Sequence, residues 1–192
     1  MIKKNNFYNG IVSEQGKLGE GVVHINEFPV YVPNCIPGDH VEIKIIKVEK
    51  RRAYGRLVQL LAAGNDRVVA RCAVAVQCGG CQLQHQSALG QLTFKSNLLK
   101  SRLGRFIDTE SIHFLPMITN DRDWATRNKM QFAFSMGENG LEIGLYAARS
   151  HRVINFEYCH VMSKPMNDVL LAVKTWHRSD PVSVFNETTG DG

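Results

Sequence analysis

The chain has 192 residues, 44% hydrophobic and 21% charged, the composition of a globular protein with room for one ordinary domain or two small ones. Its net charge of +5 mildly favours a polyanionic partner, but the basic residues are spread along the chain and do not locate a site. Apolar stretches are short, as where Arg71 interrupts the run from Val68 to Ala75, so no transmembrane helix is expected. The basic start Met1-Ile2-Lys3-Lys4 lacks the apolar region of a secretory signal, so the expected location is the cytoplasm.

The first sixty residues read as β. Candidate strands run from Phe7 to Ser13, Gly21 to Ile25, Phe28 to Val32, His40 to Val48 and Tyr54 to Leu60. In the fourth, Val41, Ile43 and Ile45 alternate with Glu42 and Lys44, the period-2 signature of a half-buried strand. Gly16, Gly19, Pro33-Asn34 and Pro37-Gly38-Asp39 supply the turns. Five short strands over residues 1–62 predict an OB-like five-stranded barrel, a scaffold common in RNA binding, with a purely structural barrel as the alternative. Lys47, Lys50, Arg51, Arg52 and Tyr54 form the densest basic run with an aromatic, suited to an RNA groove or, more simply, to a basic turn between strands.

Leu61 to Asp66 reads as a linker, and residues 63–192 as a small α+β domain that is incomplete at its C-terminal end. A helix is expected from Ala88 to Phe106, capped by Ser87 and with Leu89, Leu92, Leu99, Leu103 and Phe106 as its core face. Lys95, Lys100, Arg102 and Arg105 lie off that face, as a solvated surface or an RNA contact. Further on, Met130, Phe132 and Phe134 alternate, Glu138-Asn139-Gly140 turns, and Leu141, Ile143 and Leu145 alternate again. A third strand from Arg152 to Phe156 would deliver Cys159. A last helix, with Ser163 as cap and Pro165 in its first turn, carries the stripe Met166, Val169, Leu170, Val173 and Trp176, read as core. The polar ending from Asn186 to Gly192 closes no recognisable element.

Five cysteines in a chain with no export signal argue against a disulfide framework, and three of them crowd into ten residues as Cys72-x5-Cys78-Gly79-Gly80-Cys81. A metal or cluster needs thiolates that converge, and Gly79-Gly80 is expected to supply the bend through positive φ. Cys159, just after a strand, is the candidate fourth ligand. Cys35, in a barrel turn, reads as a small buried hydrophobe. The spacing of three clustered thiolates plus one distant one favours an iron–sulfur cluster over zinc. His85 and His160 keep a Cys₃His zinc site open, and a redox dithiol at Cys78 and Cys81 is a third possibility. The number of irons does not follow from spacing.

These residues bring a resemblance into view. Cys72 through His85, with its Cys-Gly-Gly-Cys-Gln-Leu-Gln-His, then Gln91-Leu92 with Lys95, Arg127-Asn128-Lys129, Gly144-Leu145-Tyr146 and Cys159 resemble the RNA (uracil-5-)-methyltransferase family, most closely its bacterial 23S ribosomal-RNA branch. The front segment, with Gly19-Glu20-Gly21 and Pro37-Gly38-Asp39, resembles a TRAM domain. The resemblance implies a [4Fe–4S] cluster on Cys72, Cys78, Cys81 and Cys159, and folded ribosomal RNA as the partner of a cytoplasmic monomer. Arg127 and Lys129 would lie on phosphates, with ion pairs to Asp121 and Asp123 as the alternative.

In that family a cysteine adds to uracil C6, which makes C5 nucleophilic toward the methyl sulfonium of S-adenosylmethionine, and a base then removes the C5 proton. The sequence contains no Gly-rich cofactor loop, no Asp-Pro-Pro-like loop and no further cysteine for that role, so no catalytic residue is assigned. The expectation is a chain truncated before its catalytic domain and unable to methylate alone, with S-adenosylmethionine entering only through the absent part. A standalone adaptor holding zinc or a cluster, and an electron carrier, are the competing readings.

Overall fold

The computed structural model describes residues 2–119, 122–138, 140–185 and 189–192. Its elements are β1 (Phe7–Gln15), β2 (Gly21–Ile25), β3 (Phe28–Val32), β4 (His40–Val48), β5 (Ala53–Ala62), α1 (Ala88–Leu103), a 3-10 turn (Thr109–Ser111), β6 (Ala133–Gly137), β7 (Gly140–Tyr146), β8 (Val153–Asn155) and α2 (Lys164–Ser179). They form two compact units that interleave along the chain. One holds Met1–Ala70 with Gln82–Thr119, the other Arg71–Cys81 with Asn120–Gly192.

In the first unit β1 to β5 close into a barrel of order β1-β2-β3-β5-β4. Every pairing is antiparallel except β3 with β5. Val12, Val23, Val30, Val32, Val41, Ile43, Ile45 and Ala53 fill it, as the alternation predicts. Closure needs bent strands, and irregularities in the β1–β2 and β4–β5 ladders supply the bends. A Cβ at Gly10 would run into the Val23 side chain, so glycine there makes room in a narrow interior. Cys35 is fully buried among these residues, and burial, with the nearby Asp39 charge, pushes its thiol up to about 12.

The chain leaving β5 is pinned back onto the barrel. Asp39, fully buried, accepts hydrogen bonds from the N–H groups of Ile36 (2.8 Å) and Gly64 (3.0 Å) and a fork from Arg67 (Nε 2.8 Å, Nη2 2.7 Å). Burial opposes ionisation of this carboxyl, but the donors outweigh it and hold it below the usual carboxylate range. Ser87 caps α1 as expected, accepting from Gly90 N–H at 3.0 Å.

The apolar stripe assigned to this helix holds only in part: Leu92 and Leu103 are half-buried. Leu89 is 71% exposed, Leu99 49% and Phe106, beyond the helix end, 86%. The inward side is instead set by Gly90, buried against Asp66 and Gln86, and by Phe94 and Leu98 one and two turns on, both half-buried. Gly90 has no side chain to count in an apolar pattern, so the pattern missed it.

In the second unit β6, β7 and β8 form an antiparallel sheet in that order. β6 begins at Ala133, so Met130 and Phe132 pack against the core ahead of the strand while Phe134 is exposed. Asn139 of the expected turn lies outside the described residues, as do Asn186, Glu187 and Thr188 of the polar ending. Ile143, Phe156, Met162 and Leu170 form the core.

α2 turns part of the predicted stripe inward, Leu170 with Met166 and Val173 against the core, together with polar residues outside that stripe. Leu170, Asn167, Lys174 and His177 are buried, whereas Val169 (62%) and Trp176 (48%) are exposed. The reason is polar. Asn167 donates to the carbonyls of Cys159, Met162 and Ser163, and accepts from the Cys159 N–H at 2.8 Å. Lys174 donates to Phe156 O at 2.6 Å and to Asn155 at 2.8 Å, and pairs with Glu157 at 3.1 Å. Ser163 occupies the cap position, but its side chain makes no capping bond. Among the described residues no helix is long and apolar enough to cross a membrane.

Candidate nucleic-acid and metal sites

The predicted basic run is the tip of the β4–β5 hairpin, closed by Glu49 N–H on the carbonyl of Arg52 (2.8 Å). Lys47 and Arg52 grip the Glu49 carboxylate at 2.6 and 2.9 Å and hold it below its usual range. The same two cations lie over the Tyr54 ring, 5.9 and 5.5 Å from its centroid. Arg51 projects into solvent beside them.

Tyr31, which pattern reading did not single out, stands beside Tyr54 with centroids 6.0 Å apart and planes at 36°. The two are register partners where β3 and β5 run parallel. The alternation of β3 already placed Tyr31 on the outer face; the non-consecutive pairing of β3 with β5 is what brought it to Tyr54. Exposed ion pairs such as those on Glu49 are worth at most about 1 kcal/mol, so Lys47 and Arg52 can exchange their carboxylate for a phosphate. Cations interleaved with aromatic rings are what a nucleic-acid strand meets on binding barrels.

Arg127 and Lys129 are exposed in the second unit. The Arg127 backbone is fixed by its N–H on Val161 O (2.8 Å) and by Ser163 N–H on its carbonyl (3.1 Å), and its guanidinium reaches Gly80 O at 3.5 Å. Among the described residues neither basic side chain forms an ion pair with Asp123. Asp121 lies outside the described residues.

The four cysteines proposed as ligands all fall in the second unit and are half-buried, with Cys78 and Cys159 packed against its core. Gly79 N–H on Tyr146 O (2.9 Å) and the bridge Cys78↔Ala147 tie the cysteine loop to the end of β7. Gly79 and Gly80 do not adopt the positive φ expected of them. Their value is close approach: a Cβ would meet Tyr146 O at 2.6 Å from Gly79, and the Leu145 side chain at 2.7 Å from Gly80.

Burial pushes the Cys78 thiol above its usual range, and its neighbours Cys81, Cys159 and Cys72 push it further. Burial likewise raises the Cys159 thiol, opposed by the N–H groups of Val161 and Met162 and reinforced by Cys81 and Cys72. The four sulfurs come from two stretches of the chain. They are not drawn together into a closed ligand set: among the described residues no group of three or more Cys, His, Asp or Glu side chains is arranged to hold a metal ion. The donor chemistry nevertheless fits a sulfur-ligated cluster, with N–H groups of Gly80, Val161 and Met162 directed at sulfur. His160 lies next to Cys159 and is half-buried, whereas His85 belongs to the first unit.

Residues 11–58 match the TRAM domain family. Over its whole length the chain is 34% identical to an uncharacterized RNA methyltransferase of Clostridium acetobutylicum, covering 42% of that protein, and 35% identical to one of Clostridium tetani, covering 41%. A relative of the same description in Bacillus cereus is 33% identical, again with 42% covered. The chain is homologous to RNA methyltransferases. It spans about two fifths of the length of these relatives. The crystal structure of a Pyrococcus abyssi tRNA (uracil-54, C5)-methyltransferase in complex with S-adenosyl-L-homocysteine superposes on 96% of the chain, which covers 40% of that structure, with a TM-score of 0.68 at 24% identity. That likeness supports the fold: a TRAM barrel followed by an α+β unit.

Proposed function

We propose that this chain is the RNA-binding part of an S-adenosylmethionine-dependent RNA (uracil-5-)-methyltransferase that acts on 23S ribosomal RNA in the cytoplasm, as a monomer. The observation that carries the proposal is a TRAM barrel whose outer face sets Lys47 and Arg52 over Tyr54, with Arg51 exposed at the same hairpin tip, within a chain homologous along its full length to RNA methyltransferases. Uracil-C5 chemistry and the ribosomal branch rest on the likeness of the cysteine loop and of Arg127-Asn128-Lys129. The mechanism needs an unstacked base, so the barrel and Arg127 with Lys129 hold folded RNA while S-adenosylmethionine and the reacting groups belong to the part of the enzyme outside this chain. The chain alone binds RNA and does not methylate it.

Cys72, Cys78, Cys81 and Cys159 would hold a [4Fe–4S] cluster, which would tie the loop after Ala70 to the turn before α2. Anaerobic purification of residues 1–192 tests this directly. The expected product is brown, with iron and sulfide in the ratio of a four-iron cluster, and Cys81→Ser or Cys159→Ser abolishes the colour while Cys35→Ala keeps it. Colourless protein with stoichiometric zinc would instead select an adaptor that uses Cys72, Cys78, Cys81 and either Cys159 or His160. For RNA, filter binding of 23S ribosomal fragments against transfer RNA is the measurement. Equal affinity for both would remove the ribosomal assignment, and affinity for neither would remove the function.

A further inference from the structure

Four side chains from three separate stretches of the sequence meet in the second unit. The Arg71 guanidinium lies over the Trp124 ring, 5.4 Å from its centroid. Trp124 meets His160 edge-on at 6.0 Å and 77°, and Tyr158 meets His160 at 5.2 Å and 67°. None of these rings joins the hydrophobic core, and Tyr158 is half exposed. Backbone bonds fix the arrangement: Ala125 N–H donates to His160 O (2.9 Å) and Arg127 N–H to Val161 O (2.8 Å), and Arg127 pairs in parallel with Met162. Ala125 is held at φ 55, a left-handed conformation that costs an L-residue about 1–2 kcal/mol and is sustained here by the bond to His160. Among the described residues no carboxylate pairs with Arg71, Arg127 or Lys129.

We infer that Trp124, His160 and Tyr158, with Arg71, form a stacking site for an unpaired base of single-stranded RNA, and that Arg127 takes an adjoining phosphate. The inference rests on RNA being the partner, and it names the form of RNA that this face accepts. The exposed Tyr158 and the half-buried Trp124 and His160 offer π surfaces to any base, and a guanidinium already poised on an indole either stacks on the incoming base or moves to its phosphate. A duplex hides its base faces and would not use the rings.

Trp124 and Trp176 are the two tryptophans of the chain, so Trp176→Phe, at an exposed position of α2, leaves Trp124 as the sole emitter. Titration of that protein with oligouridylate should quench its emission saturably, whereas the same strand paired with oligoadenylate should not. Trp124→Leu and Tyr158→Ala should each weaken oligouridylate binding about tenfold without altering the salt dependence, Trp124→Phe should recover most of the loss, and Arg127→Ala should lower the salt slope by about 0.7. Tyr158→Ala carries the test should Trp124→Leu fold poorly. Binding with Trp124 emission unchanged, a Phe variant as weak as the Leu variant, or equal quenching by duplex RNA or by polyglutamate would each overturn the stacking site while leaving RNA binding elsewhere intact. No binding of any RNA would overturn it together with the proposed function.

Discussion

Arg67→Ala gives the sharpest test of how the barrel is held to the chain that follows it. The guanidinium supplies two of the four donors on the buried Asp39 carboxylate and a further bond to Asn34 O at 2.7 Å. Removing it leaves a carboxylate with only the Ile36 and Gly64 N–H groups, out of reach of water. Breaking a buried pair from one side costs about 3–5 kcal/mol, a large share of the roughly 5–15 kcal/mol that stabilises a domain. Tryptophan fluorescence would miss the effect, because Trp124 and Trp176 both lie in the second unit. Hydrogen exchange read by mass spectrometry reports it at Val12 and Gly38, whose N–H groups donate to Asp39 O and Val12 O, both at 2.9 Å.

The expected loss of protection at neutral pH is about two to four powers of ten. Because Asp39 is held below its ordinary 3.8, the stability it contributes is complete above that pH and drains away as pH falls through the lower folded value. The gap between wild type and variant should therefore narrow below about pH 4. A variant within 1 kcal/mol of wild type at pH 7, or a gap constant with pH, would refute the reasoning.

Other expectations follow from the same packing. Lys174→Ala strands the buried Phe156 carbonyl and should destabilise the second unit by about 1–3 kcal/mol in a urea melt followed by tryptophan fluorescence. Gly144→Ala drives a Cβ into the Ile154 carbonyl oxygen and should cost about 3 kcal/mol or more, whereas Gly55→Ala meets valine methyls at 3.3 Å and the Lys44 carbonyl oxygen at 3.5 Å and should cost about 1 kcal/mol; paired thermal melts separate the two. The Cys35 thiol, raised from 9.0 to about 12, stays protonated in the folded barrel, so its contribution to stability is complete below 9.0 and is lost as pH rises from 9.0 through 12, where the unfolded chain ionises; at pH 9 it should resist iodoacetamide until the barrel is unfolded.

The strands of the barrel were legible because each is a short run with one buried face, most of them ended by glycine, proline or asparagine in a turn and β4 by the charged tip from Glu49 to Arg52. Val41, Ile43 and Ile45 could point only one way once Glu42 and Lys44 pointed the other, and slipping the register by one residue would bury the charges. The helices were less legible, for opposite reasons. On α1 the pattern overcounted large residues and could not register Gly90, whose missing side chain is what lets the helix approach Asp66. On α2 it found Met166, Leu170 and Val173 but had no means to register Asn167 and Lys174, each buried to satisfy carbonyls that no apolar residue could satisfy.

The candidate sites divide along the same line. Lys47, Arg51, Arg52 and Tyr54 sit within eight residues of one hairpin, so their proximity was visible as proximity in sequence. Cys72, Cys78 and Cys81 were visible likewise, and Cys159 only through the strand that ends before it. Trp124, His160 and Tyr158 carried no such sign. They meet because residues 125–127 lie in parallel register against 160–163, a pairing set by Arg127 and Met162 that no local period announces. Parallel contacts join stretches far apart in the chain, so aromatic residues gathered this way stay hidden until the long-range pairing is known. That pairing also explains why the group matters: a ring that gains nothing from the core, yet is held by three backbone hydrogen bonds and a left-handed alanine, is positioned for a surface outside the molecule.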